Sequence, residues 1–345
     1  MNFKGILVLL TALIISVFLY SCKTSSTGPD SNNTNPDIVA PDIYPINQMA
    51  VWNKDMIYTI PTMLFYRIDS NYKVIEKSGF GDQYGNYIPV MSGSRWNFIE
   101  INDTGTKLLL VSSKYSDVSA GSLYEFDIPS KTLTLLKDSS NFISSAKYFR
   151  GTDSRIIYYK YGWPIGNKAG YYILDKSSGK DTLVLSHIAK NGTSETLNCF
   201  DLHPNNQTLV FAISQTENND RRAPKLGLYN FGSNKIDTLP VAFDFYAIKI
   251  GLWLRFNSTG SKILYCSFPK GIYGDATFDD SQVGIIEFPS LNRKVLNVNT
   301  NSPWTSVQLA PRWGSGDRTI IYDSGKLSNE GVVGRRHIYI LKNIK

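Results

Sequence analysis

Phe256-Asn257-Ser258-Thr259-Gly260-Ser261-Lys262-Ile263-Leu264-Tyr265 is the stretch on which the reading of the fold turns. A hydrophobic anchor precedes a small polar turn that contains Gly. A basic residue follows, then an apolar run that reads as a strand. About 20 residues later comes a second run, Val283-Gly284-Ile285-Ile286-Glu287-Phe288. A turn at Pro289-Ser290-Leu291-Asn292 then leads into a third run, Lys294-Val295-Leu296. The unit reads as one small antiparallel sheet.

The same order recurs. Ile101-Asn102-Asp103-Thr104-Gly105-Thr106-Lys107 leads into Leu108-Leu109-Leu110, with Leu123 to Ile128 and Thr132 to Leu136 behind it. Phe149 opens the copy that runs into Ile156-Ile157-Tyr158-Tyr159, Leu202 the one into Leu209-Val210-Phe211, and Trp313 the one into Thr319-Ile320-Ile321-Tyr322. A degenerate copy begins at Trp52. Anchors at 52, 101, 149, 202, 256 and 313 fall 49, 48, 53, 54 and 57 residues apart. A period near 50 with several strands in each predicts an all-β fold. The expected architecture is a six-bladed β-propeller with about four antiparallel strands per blade, because one small sheet buries its faces only by packing against the next.

The anchor, turn and strand resemble the blade repeat of the TolB-type periplasmic propellers, whose pattern runs aromatic-Ser-Pro-Asp-Gly-Lys and then an apolar strand. The resemblance covers about residues 50 to 342. Pro stands in the expected turn only at Pro204, and Gly at the expected place only at Gly105 and Gly260. The resemblance implies a periplasmic role in contact with envelope proteins or peptidoglycan-linked lipoproteins. The matching residues are scaffold residues.

The chain opens with Lys4, an almost unbroken apolar run from Gly5 to Leu19, and then Leu19-Tyr20-Ser21-Cys22. The run is short for a membrane span and fits the apolar core of an export signal. Leu-x-small-Cys directly after it looks like the bacterial lipobox, in which the Cys22 thiol is lipidated and becomes the mature N-terminus. Residues 1–21 are therefore expected to be a lipoprotein signal peptide and 22–41 the lipidated Cys with a flexible tether of Ser, Thr, Asn, Asp and Pro. Residues 42–345 are expected to be the propeller. Several acyl chains on one residue suffice for stable anchoring. The expected location is the bacterial cell envelope, at the outer membrane on its periplasmic or surface face.

The formal net charge of +7 is spread along the chain, and Arg221-Arg222 and Arg335-Arg336 are only pairs. This pattern argues against nucleic acid as a partner. Cys199 and Cys266 read as buried thiols rather than a disulfide. His203 sits in a repeat turn, and His187 and His337 have no carboxylate or thiol at a catalytic spacing. No G-x-S-x-G, H-E-x-x-H or Walker loop occurs, so no catalytic residue, metal or cofactor is assigned. The acidic loop from Asp275 to Asp280 lacks the Gly and Glu of a calcium loop. Asn-x-Thr triplets at Asn102, Asn191 and Asn257 read as turns.

One repeated polar position remains. The residues immediately before the anchors are Glu100, Tyr148, Asp201, Arg255 and Arg312. Alternation along a strand turns each away from its anchor, and the first strand of a blade is the innermost. These five residues are the candidate channel or ligand-binding set. The expected function is that of a non-catalytic binding or scaffolding module with an envelope protein or glycan as partner. The alternative is a carbohydrate-binding or carbohydrate-active propeller, with Asp201, His203 and Tyr148 converging as a lyase or hydrolase centre, or with Trp163 and Trp304 stacking sugars. Finally, the last copy stops at Ile338-Tyr339-Ile340-Leu341 without an outermost strand, so a segment around Asp42 to Ile46 is expected to complete it from the other end of the chain.

Overall fold

The computed structural model describes residues 37–43, 48–52, 56–60, 64–68, 74–79, 94–114, 117–160, 168–186, 189–190, 193–194, 199–213, 216–217, 220–221, 225–239, 253–267, 282–296, 307–325, 327–328, 331–332, 336–342 and 344. The signal segment, Cys22, His187, Asn191, Trp163, Trp304 and the Asp275 to Asp280 loop lie outside them.

The described chain is built from strands. They run β1 (Asp37–Ile43), β2 (Gln48–Trp52), β3 (Met56–Ile60), β4 (Leu64–Ile68), β5 (Val74–Gly79), β6 (Ser94–Ile101), β7 (Lys107–Lys114), β8 (Asp117–Asp127), β9 (Thr132–Lys137), β10 (Ile143–Tyr148), β11 (Arg155–Lys160), β12 (Gly170–Asp175) and β13 (Lys180–Ser186). After the short ladder β14 (Ala189–Lys190) and β15 (Thr193–Ser194) come β16 (Phe200–Leu202) and β17 (Thr208–Ile213). A second ladder, β18 (Thr216–Glu217) and β19 (Asp220–Arg221), precedes β20 (Lys225–Asn230), β21 (Lys235–Leu239), β22 (Trp253–Phe256), β23 (Lys262–Ser267), β24 (Gln282–Glu287) and β25 (Arg293–Leu296). Last are β26 (Val307–Trp313), β27 (Ile320–Gly325), a third ladder β28 (Leu327–Ser328) and β29 (Gly331–Val332), and β30 (Arg336–Leu341).

Five four-stranded antiparallel sheets are each made from one local stretch of chain: β2-β3-β4-β5, β6-β7-β8-β9, β10-β11-β12-β13, β16-β17-β20-β21 and β22-β23-β24-β25. A further four-stranded sheet, β26-β27-β30-β1, is composite, because its outer strand comes from the opposite end of the domain. The first strands of neighbouring sheets touch, β2 to β6, β6 to β10, β16 to β22 and β22 to β26, and β26 touches β2. This is the arrangement of an all-β propeller.

The composite sheet closes as the missing-strand argument requires, with a shift in register. β1 pairs with β30 through Asp37 to Ile340, Ile38 to Tyr339, Ala40 to Ile338 and Ile43 to Arg336. The pairing strand thus spans 37–43 rather than 42–46. Residues 37–41, expected to be tether, are strand, and the Pro on this edge is Pro41 rather than Pro45. An edge strand tolerates Pro because only one side of it must donate.

Burial explains why the inner runs are apolar without a break. β17 and the centre of β11 are buried on both faces, whereas the outermost β13, β21 and β25 are mostly exposed. On β23, Ile263 and Tyr265 pack with Val210, Leu226 and Phe256 towards the preceding sheet, and Leu264 packs with Ile320, Tyr322 and Leu341 towards the next. Fully burying one such aliphatic side chain contributes roughly 1.5–3 kcal/mol. An exposed ion pair contributes about 0–1. The packing between sheets therefore holds the ring.

Third strands carry glycine where an aromatic ring crosses them. A Cβ at Gly284 would stand 2.3 Å from the Tyr265 hydroxyl, and one at Gly227 would stand 2.5 Å from the Phe211 ring, the residues each pairs with. The large side chain on the second strand needs the missing one on the third.

Candidate functional site

The turns between first and second strands set the register of the site. In four sheets the first turn residue donates its N–H to a carbonyl five positions on, Asn102 to Lys107, His203 to Thr208, Asn257 to Lys262 and Gly314 to Thr319, at 2.8–3.0 Å. Asn102 and Asn257 also cap their own turns, Asn102 Oδ1 accepting from the N–H of Thr106 and Lys107 and Asn257 Oδ1 from that of Lys262. Both side chains are buried in this role, which assigns the two triplets to turn geometry. In the β10–β11 turn the bond runs from Phe149 N to Arg155 O, six positions on. That turn is one residue longer.

The extra residue moves the anchor. Tyr148 pairs with Ile156 as Ile101 pairs with Leu108 and Phe256 with Ile263. Tyr148, not Phe149, is thus the structural anchor, and the residue before it is Lys147. A slip of one residue turns a side chain to the other face. Tyr148 packs among Leu109, Val111, Ile156 and Tyr158, and its hydroxyl donates to Glu125 Oε2 at 2.9 Å. Burial and Glu125 push its phenol well above the usual range. It belongs to the sheet interface and is corrected out of the candidate set.

With Lys147 in its place, the set converges. Lys147 Nζ lies 3.0 Å from Glu100 Oε2 and 2.7 Å from Asp201 Oδ1, and Arg255 Nη2 lies 3.3 Å from Glu100 Oε2. These pairs join four sheets, and the Glu100–Arg255 pair links β6 to β22. Such contacts are possible only where the innermost strands meet at the middle of the ring. Asp201 Oδ2 also accepts the N–H of Phe256 at 2.5 Å, so both its oxygens are engaged. Lys147, Asp201, Arg255 and Arg312 are each under 10 % exposed.

Charge and burial compete here. Burial disfavours ionised Glu100, but Lys147, Arg255 and Arg312 outweigh it and hold the carboxyl at about 2. Burial and Arg255 lower the Lys147 ammonium, against the upward pull of Asp201 and Glu100. Burial and Arg255 bring the Arg312 guanidinium down to about 9.

The proposed catalytic trio does not assemble. Asp201 serves Lys147 and Phe256, Tyr148 serves Glu125, and His203 Nδ1 accepts from Asn205 N at 3.1 Å. The His203 ring stands edge-on to Phe256 at 4.9 Å, and its Nε2 occupies the space a Cβ on Gly260 would need, 2.1 Å away. Gly260 has φ +77°, so the turn needs glycine both for its backbone and for the ring beside it. Cys199 and Cys266 form no disulfide, and burial raises both thiols. Among the described residues no group of His, Cys, Asp and Glu is arranged to hold a metal, and no helix is long and apolar enough to cross a membrane.

A concavity of about 770 Å³ lies between the third and fourth sheets, lined by Phe149, Arg155, Lys180, Gln207, Tyr229 and Phe231 among others. Its rings pack on one another, Phe231 lying 6.1 Å from Phe149 and 5.4 Å from Tyr229.

No protein-family model and no curated protein matches the chain. Solved structures do. The putative TolB from Agrobacterium tumefaciens is similar at TM-score 0.52 and 13 % identity, over 90 % of this chain and 92 % of that one. An oligogalacturonate lyase from Vibrio parahaemolyticus is similar at TM-score 0.50 and 13 % identity, over 84 % and 76 %. A GH74 enzyme from Niastella koreensis gives TM-score 0.54 at 12 % identity, over 85 % of this chain and 43 % of that one. At these identities the likeness is one of fold: the chain is similar to β-propellers, a putative TolB among them.

Proposed function

We propose that the protein is a lipid-anchored cell-envelope propeller of six blades that acts as a non-catalytic binding or scaffolding module, in the manner of TolB-type periplasmic proteins. The observation that carries this reading is the central cluster of Glu100, Lys147, Asp201, Arg255 and Arg312, in which buried ionised groups from the innermost strands are gathered at the middle of the ring. The lipobox ending in Cys22 supports the anchor and the envelope location. The partner is an envelope protein or a glycan. Crosslinking in intact envelopes, with the wild type and the Arg255→Ala, Arg312→Ala double variant, tests the reading. A partner captured by the wild type should be lost from a folded double variant. Equal capture by both would remove the cluster from function.

A carbohydrate-binding propeller is the second reading, favoured by the groove over Phe231 with Arg155, Lys180 and Gln207 on its walls. Oligosaccharide binding that disappears in Phe231→Ala and survives in the double arginine variant would select it.

A further inference from the structure

Among the described residues, the central cluster has one cation too many. Lys147, Arg255 and Arg312 face two carboxylates, Glu100 and Asp201. Lys147 bonds to both carboxylates and Arg255 to Glu100, while the second oxygen of Asp201 is taken by a backbone N–H. Arg312 receives neither. Its Nη1 donates to the carbonyl of Pro311 at 3.3 Å, and its Nε and Nη2 have no hydrogen-bond partner among the described residues, although the residue is 4 % exposed. Arg255 Nε is likewise unpartnered. Buried donors left unmade are costly, and charged ones more so.

The identity of the unused atoms is informative. Nε–H and Nη2–H of a guanidinium lie parallel on one edge of its plane, the fork that matches the two oxygens of a carboxylate. The third nitrogen of Arg312 is the one already engaged. The cluster thus has one unbalanced positive charge together with one open bidentate edge.

We propose that Arg312 is the receptor for the carboxylate group of a small ligand, with Nε and Nη2 donating to its two oxygens. The proposal rests on the reading of the cluster as the binding site and names the chemistry of what it binds. A single negative charge completes the balance, whereas a doubly charged phosphate would overshoot it. Both donors are shielded from solvent, so the ligand enters as Arg312 yields, and among the described residues its one hydrogen bond is that to Pro311. Once inside, the ion pair is desolvated on both sides, which rewards a partner that satisfies both donors.

The test is a thermal-shift and calorimetric titration of the full chain with acetate and glucuronate, against glucose and inorganic phosphate at matched ionic strength. The two carboxylates should raise the melting temperature saturably and glucose should not. Arg312→Gln should abolish the effect. Arg312→Lys, which keeps the charge and loses the fork, should weaken binding about tenfold or more. Should these variants fail to fold, arginine Nε–H resonances of the wild-type protein provide the readout, with one such signal moving on addition of acetate. The proposal is overturned if neither carboxylate acts, if phosphate acts and they do not, if glucose matches glucuronate, or if Arg312→Gln responds like the wild type. Partner capture that depends on Arg255 and Arg312 without any carboxylate effect would leave the binding-module reading standing and remove only this ligand class.

Discussion

Glu100 shows what one buried carboxylate contributes. Its folded-state value of about 2 lies below the ordinary 4.5, so its contribution is complete above 4.5 and is lost as the pH falls towards 2. At about 1.4 kcal/mol per unit this amounts to roughly 3 kcal/mol. Urea midpoints of the wild type and Glu100→Gln should therefore differ most at pH 6 and draw together steadily as the pH falls towards 2; a gap that ignores pH would count against the pairing. The neighbouring register makes a sharper expectation. Lys147→Met removes the one cation that bonds to both carboxylates and should cost about 3–5 kcal/mol. Tyr148→Phe removes one hydroxyl bond to Glu125 and should cost about 1. Chemical denaturation ranks the two, and the reverse order would restore Tyr148 to the centre of the ring.

At the scale of elements, the turns work as latches between sheets as well as connections within them. Asp103 takes the Arg150 guanidinium and the N–H of Gly151, both at 2.7 Å. Asp317 takes the N–H of Ser258, and Trp313 Nε1 donates to the carbonyl of Arg255 at 2.9 Å. The strand β1 is the element that the rest of the ring cannot supply for itself. Without it, the outer edge of β30 is unpaired, and an unpaired edge is both a loss of hydrogen bonds and a template for aggregation. Deleting residues 37–43 should lower the melting temperature far more than deleting residues 23–36, and the form that lacks 37–43 should aggregate on heating. Matching melting temperatures for the two truncations would mean that β1 is dispensable.

For the whole molecule, the first-strand residues bring four or five blades to a single point, so a change at that point is felt by all of them. The same ring is expected to stand on a lipidated Cys22, and the two properties are separable. Cys22→Ala should leave an unprocessed precursor, abolish acyl labelling and release the protein from the membrane fraction, while the circular dichroism of the folded part is unchanged. Mature, labelled protein from that variant would refute lipidation.

The sequence alone determined the all-β repeat, the position of every second strand and the need for a closing strand. These follow from local alternation and from turns such as Asn257 to Ser261, whose side chains act on their own backbone. Glu100, Asp201, Arg255 and Arg312 were legible for the same reason, because each sits one residue before an anchor in a turn of standard length. Lys147 was not. Phe149 is the more hydrophobic anchor by type, and only the pairing of Tyr148 with Ile156 reveals that its turn is one residue longer. Which cations meet which carboxylates was equally out of reach, since Glu100 and Arg255 are 155 positions apart and meet only when the ring closes. Counting charges before the anchors finds two cations and two carboxylates, and only the closed ring adds Lys147 as the third cation. Which of the three is left with an open edge depends on distances in the closed ring, and there it is Arg312.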